Sequence, residues 1–192
     1  MLYQDLKLLP NLISLARIAL IVPIALLYPS DQPEIKWAVF ILLLLAYVSD
    51  YLDGTVARWL KQQSRLGLIL DPLADKLWTL VMIFLLARYR DLPVWIGVII
   101  IGRDVVIMAM NGWLIRHTGK VMPSDEFGRK YMAVLGLMII LLTMQVPYAI
   151  WLAYAIVSFA PITAVRYLVQ ISQFARMAAP GKVNGGQAAF KE

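Results

Sequence analysis

Apolar positions in this chain come in long runs rather than in strict alternation. A membrane-spanning helix needs about 20 mostly apolar residues. Six stretches meet that pattern: roughly Asn11–Tyr28, Trp37–Tyr51, Pro72–Arg88, Val94–Leu114, Lys130–Gln145 and Pro147–Tyr167. Some are cut short at one end by polar residues. The pattern predicts an all-α integral membrane protein with six transmembrane helices. Ahead of the first run, Met1–Leu9 mixes Leu2, Tyr3, Leu6, Leu8 and Leu9 with Gln4, Asp5 and Lys7. That segment reads either as an interfacial amphipathic helix or as a frayed terminus. Residues 1–179 form a single expected membrane domain. The stretch 180–192 is Gly-rich and polar, and is expected to be a disordered cytoplasmic tail.

Composition agrees with the runs. Of the 192 residues, 61% are hydrophobic and 16% charged, against about 45–50% and about 25% in a soluble domain. There are no cysteines, which excludes disulfides, thiolate metal sites and cysteine nucleophiles. The net charge of +6 has a membrane explanation. Arg58, Lys61 and Arg65 follow the second run. Arg116, Lys120, Arg129 and Lys130 follow the fourth, and Arg176, Lys182 and Lys191 follow the sixth. With six spans these groups share one side, and the opposite side holds only Lys36, Arg88 and Arg90. The bias places both termini in the cytoplasm, with the chain in the cell (inner) membrane. No nucleic-acid motif is present, and no nucleic-acid partner is expected. Trp37, Tyr89, Trp95, Trp113 and Tyr148 fall near span ends, as an interfacial aromatic belt does. His117, the only histidine, is expected in a solvated loop.

Carboxylates inside spanning segments mark function. Asp50 and Asp53 sit at the end of the second run, and Asp71 and Asp75 at the start of the third. On a helix, Asp50 and Asp53 share a face at i and i+3, with Gly54 and Ala57 on that face. Asp71 and Asp75 share one at i and i+4, with Gly67 a turn earlier. Two antiparallel helices can then aim four carboxylates into one cleft. Such a group repels itself unless a cation sits between its members. Hard oxygen donors suit Mg²⁺ or Mn²⁺ beside a phosphate substrate. The alternative is four helix-end carboxylates paired with Arg58, Lys61 or Lys76.

The stretch reads D-x2-D-G-x2-A-R-x8-G-x3-D-x3-D, and it resembles the signature of the CDP-alcohol phosphotransferase family at every fixed position. Pro10-Asn11-Leu12-Ile13-Ser14, followed by Arg17, is similar to the opening of its phosphatidylglycerophosphate and cardiolipin synthases. The resemblance implies two metal ions held by Asp50, Asp53, Asp71 and Asp75, with Asp75 also the general base. It implies contacts to the CDP moiety from Asp53, Gly54, Ala57, Arg58 and Gly67. The implied reaction is attack of an alcohol on the β-phosphorus of CDP-diacylglycerol, with release of CMP. A homodimer among membrane lipids is implied in the same way.

Arg103 and Asp104 lie deep in the fourth run. Residues i and i+1 on a helix do not face each other, so Arg103 is expected to bind an acceptor phosphate rather than Asp104. Before the fifth run, many members of the family this chain resembles carry Gly/Ser-Lys-x-x-Thr. This chain has Gly128-Arg129-Lys130-Tyr131-Met132. Arg129 and Lys130 read either as phosphate contacts or as positive-inside residues. Glycerol 3-phosphate is the acceptor expected first, and phosphatidylglycerol, giving cardiolipin, the alternative. A cation transporter or channel and an inactive structural homologue are the readings of other classes.

Overall fold

The computed structural model describes residues 9–60, 67–118 and 126–178, without the side chains of 50–60, 67–72 and a few residues at segment ends. Apart from short turns, the structure of the described residues is all helical, in six helices. They are α1 Leu9–Leu27, α2 Pro33–Leu60, α3 Gly67–Tyr89, α4 Val94–Thr118, α5 Glu126–Thr143 and α6 Ile150–Ala178. The first eight residues and the tail from 179 onward, where the interfacial segment and the disordered tail were placed, lie outside the described residues.

Each apolar run became one helix, but several helices overrun their runs. The second helix continues past Tyr51 to Leu60, the third starts at Gly67, and the sixth continues past Tyr167 to Ala178. An α-helix closes its own backbone hydrogen bonds whatever its side chains. It therefore continues where the apolar run stops. The 28 residues of α2 rise about 42 Å, more than the roughly 30 Å of a hydrocarbon core.

The helices pack α1 against α2 and α3, α4 against α6, and α5 against α6, α2 and α3. The core they enclose holds Ile24, Leu43, Met82, Leu86, Ile100 and Met138. Large apolar side chains also stay outside: Leu26, Ile41, Phe84, Val98, Trp151 and Phe159 are all exposed. An apolar surface of that extent calls for an apolar surrounding. Among the described residues two stretches, Val94–His117 and Ile150–Phe174, are long and apolar enough to cross a bilayer.

One end of the bundle is cross-linked by polar side chains. Arg90, just after α3, donates to Asp31 Oδ1 at 2.8 Å and to the carbonyls of Tyr28 and Ser30 at 3.3 and 3.4 Å. Lys36 of α2 pairs with Asp31 at 3.3 Å and donates to Gln145 at 2.6 Å. Tyr28 and Thr143 share a hydrogen bond of 2.8 Å between α1 and α5. The hydrogen bonds from Lys36 and Arg90 hold the Asp31 carboxyl below the usual carboxylate range. Asp91 (φ 53°) turns the chain after α3, and Gln145 (φ 54°) and Tyr148 (φ 64°) turn it after α5.

Candidate active site

At the opposite end, α2 finishes and α3 begins. The backbone puts Asp50 and Asp53 on the last three turns of α2, and Asp71 and Asp75 on the first three turns of α3. Their helical spacings are therefore those expected. The side chains of Asp50, Asp53, Gly54, Ala57, Arg58, Gly67 and Asp71 lie outside the described residues. The backbone register gives α2 and α3 one carboxylate-bearing face each. That is a hard-oxygen donor set suited to a divalent cation beside a phosphate.

The side chain of Asp75 is described. Its Oδ1 accepts from Arg17 Nη1 at 2.5 Å. The Arg17 side chain is 4% exposed and that of Asp75 is 36% exposed, so the pair joins a buried cation on α1 to a carboxylate at the edge of the interior. Thr79, one turn on, donates its hydroxyl to the Asp75 carbonyl at 3.0 Å. Lys76, the next residue, turns to α4, where its Nζ lies 2.6 Å from Asp104 Oδ2. Adjacent residues of α3 are thus fixed to helices on either side.

Arg103 and Asp104 correct one expectation. They do bond, Arg103 Nη1 to Asp104 Oδ1 at 2.7 Å, with both side chains buried. The rule that helical neighbours diverge holds at Cβ, but the long arginine side chain folds back across the difference. The pair does not exhaust Arg103. Its Nε–H donates to Thr163 of α6 at 3.3 Å, and its guanidinium lies over the ring of Tyr131 of α5, 4.1 Å from the centroid. Arg103 also borders a cavity of about 360 Å³ between α4 and α6, walled by Ile99, Val157, Ala160, Pro161 and Ala164.

The basic residues in the first turns of α5 are not part of this cluster. Arg129 and Lys130 are exposed, and Lys130 bonds Glu126 within α5 at 2.9 Å. It is the next residue, Tyr131, that reaches Arg103. His117 is also relocated: it stands in the last turn of α4, not in a loop, with its ring 4.6 Å from that of Trp113. Arg17, Lys76, Tyr131 and Thr163 were not singled out as site residues. Arg17 carried a signal, a cation within an apolar run. Tyr131 and Thr163 carried none, because hydroxyls are ordinary in helices.

A family model for CDP-alcohol phosphatidyltransferase matches residues 7–171, which takes in all four aspartates, Arg17 and the Arg103–Asp104 pair. The chain belongs to this family. Among CDP-alcohol phosphatidyltransferases it is similar to a CMP-forming cardiolipin synthase of Streptomyces coelicolor, 39% identical over 57% of this chain and 52% of that protein. It is also similar to two enzymes named CDP-diacylglycerol–glycerol-3-phosphate 3-phosphatidyltransferase. That of Bacillus subtilis is 34% identical over 63% of this chain and 68% of the relative. That of Pseudomonas fluorescens is 32% identical over 77% and 79%. The match spans about half the length of the Streptomyces relative. The transport reading of the carboxylates finds no support in this family.

Proposed function

We propose that this protein transfers a phosphatidyl group from CDP-diacylglycerol to an alcohol and releases CMP, with glycerol 3-phosphate as the acceptor. The observation that carries the reading is the carboxylate signature on α2 and α3, in a chain that belongs to a phosphatidyltransferase family. Relatives named for glycerol 3-phosphate support the acceptor. The relative named cardiolipin synthase supports a second reading, in which phosphatidylglycerol takes that place.

In this reading Asp75 accepts the proton of the acceptor hydroxyl. Arg17 holds that carboxylate in one orientation, as a general base requires. The freed oxygen attacks the β-phosphorus, a new P–O bond forms, and the bond to CMP breaks. Asp50, Asp53, Asp71 and Asp75 would hold Mg²⁺ or Mn²⁺, as two ions, whose chemistry is to clamp the diphosphate and stabilise the leaving phosphate. Arg58, Gly54, Ala57 and Gly67 belong to the nucleotide side, and Arg103 to the acceptor phosphate. Guanidinium suits that contact, being planar and always charged.

The six helices are read as six spans, with both termini and the carboxylate end at the cytoplasmic face of the cell membrane. The asymmetry of basic residues supports this. Lipid tails then enter from the bilayer while nucleotide and acceptor arrive from water. A homodimer fits the resemblance and belongs to the same proposal.

The test is CMP release from CDP-diacylglycerol by the purified protein, with each acceptor in turn and with or without Mg²⁺ or Mn²⁺. Release with glycerol 3-phosphate, abolished by chelation and restored by metal, is expected. Release with phosphatidylglycerol alone moves the assignment to cardiolipin synthesis. Full turnover after exhaustive chelation removes the metal site, and no release with any acceptor removes the enzyme.

A further inference from the structure

Asp104 lies near the middle of α4, about 15 Å of helix rise beyond Val94, and is 4% exposed. A carboxylate so far from water needs a cation. Asp104 has two. Arg103 bonds one oxygen at 2.7 Å and Lys76, from α3, lies 2.6 Å from the other. The Lys76 contact is an ion pair without hydrogen-bond alignment, since among the described residues Asp104 Oδ2 has no hydrogen-bond partner. Lys76 is therefore held by charge rather than by direction. One cation would neutralise Asp104. The second leaves one positive charge in excess among these three groups.

A further group in the same cluster is idle. Tyr131 packs its ring under Arg103 and is 7% exposed, yet among the described residues its hydroxyl has no hydrogen-bond partner. Buried hydroxyls are normally bonded, and leaving one unmet is costly. An excess cation beside an unmet donor is the complement of an anion, not of a closed structural pair.

We propose that Asp104 is a positioning residue, which holds Arg103 of α4 and Lys76 of α3 together as one cationic unit for the phosphate of the acceptor. The proposal rests on the reading of Arg103 as the acceptor contact. Asp104 touches no substrate. It fixes the arginine rotamer and draws in Lys76, and through Lys76 it ties the acceptor side to the helix carrying Asp75. Without the carboxylate, the two cations repel each other and separate.

The test uses the full chain and measures CMP release against each substrate in turn. Asp104→Asn is expected to raise the KM for glycerol 3-phosphate about tenfold, the scale of one charge-assisted hydrogen bond. The KM for CDP-diacylglycerol should stay near wild type, and Asp104→Glu should recover most of the loss. If phosphatidylglycerol proves to be the working acceptor, the same comparison is made with it. An unchanged acceptor KM in Asp104→Asn overturns the proposal. So does a parallel rise in both KM values with a lowered Tm, since that is a structural role. Should Asp104→Asn fail to fold, Lys76→Gln carries the test: it must raise the acceptor KM selectively, and no change overturns the proposal. Arg103→Ala separates the two layers. If it raises the acceptor KM and Asp104→Asn does not, only the positioning role falls. If it leaves the acceptor KM unchanged, the acceptor reading falls and the positioning role with it.

Discussion

Asp75 bears three demands at once, as the proposed base, as a proposed metal ligand and as the partner of a buried arginine. Asp75→Asn keeps the shape of the side chain and removes its charge. Loss of a general base lowers turnover by about 10²- to 10⁴-fold. Arg17 would meanwhile keep a weaker, neutral acceptor, at a stability cost of about 1–3 kcal/mol. The expected variant is folded, somewhat less stable and nearly inactive, as read by CMP release and by thermal unfolding in detergent. Wild-type-like release would sink the base assignment. The contrast with Arg103 shows what sequence can convey about a residue. The cost of charge in an apolar run is what singles out Arg103 and Asp104 in the sequence. Their partners Lys76, Thr163 and Tyr131 come from three other helices, and no local pattern specifies such a meeting.

At the scale of helices, two close approaches depend on glycine. A Cβ on Gly97 of α4 would lie 2.6 Å from Ile83 Cγ2 of α3, and one on Gly136 of α5 would lie 2.7 Å from the Tyr47 ring of α2. Close backbone contact through small residues is how helices associate in lipid. The two neighbours differ in freedom. Ile83 is β-branched and 3% exposed, whereas Tyr47 is 42% exposed and its ring can swing away. Gly97→Ala should therefore incur overpacking of about 1–3 kcal/mol, more than the gain in helix propensity of about 1 kcal/mol. Gly136→Ala should come out near neutral. Thermal unfolding of both variants in one detergent checks the order, and equal losses would refute it. The number and order of the helices were legible because apolar runs are long and interrupted by charge or, before the sixth, by Gln145 and Pro147. Their ends were not, because helical hydrogen bonding carries α2 and α6 beyond the point where hydropathy falls.

For the whole molecule, the topology is open to a direct experiment because the chain has no cysteine. Gln32, between α1 and α2, and His117, at the end of α4, are both exposed. Gln32→Cys and His117→Cys should label with an impermeant maleimide from opposite faces of oriented membrane vesicles, His117→Cys from the cytoplasmic one. Labelling from a single face would remove the alternating topology. The lacing of Arg90, Asp31, Lys36, Gln145, Tyr28 and Thr143 has a mechanical consequence. Helices tied together at one rim behave as the arms of tongs: they spread farthest from the tie, except where a second bond holds them, as Arg17–Asp75 holds α1 to α3. The proposed lipid entrance and the four aspartates belong to the far rim. A donor with two acyl chains can then be admitted by a small divergence of the arms, with no helix leaving the assembly. Amide hydrogen exchange should slow progressively along α2 and α5 toward the laced end.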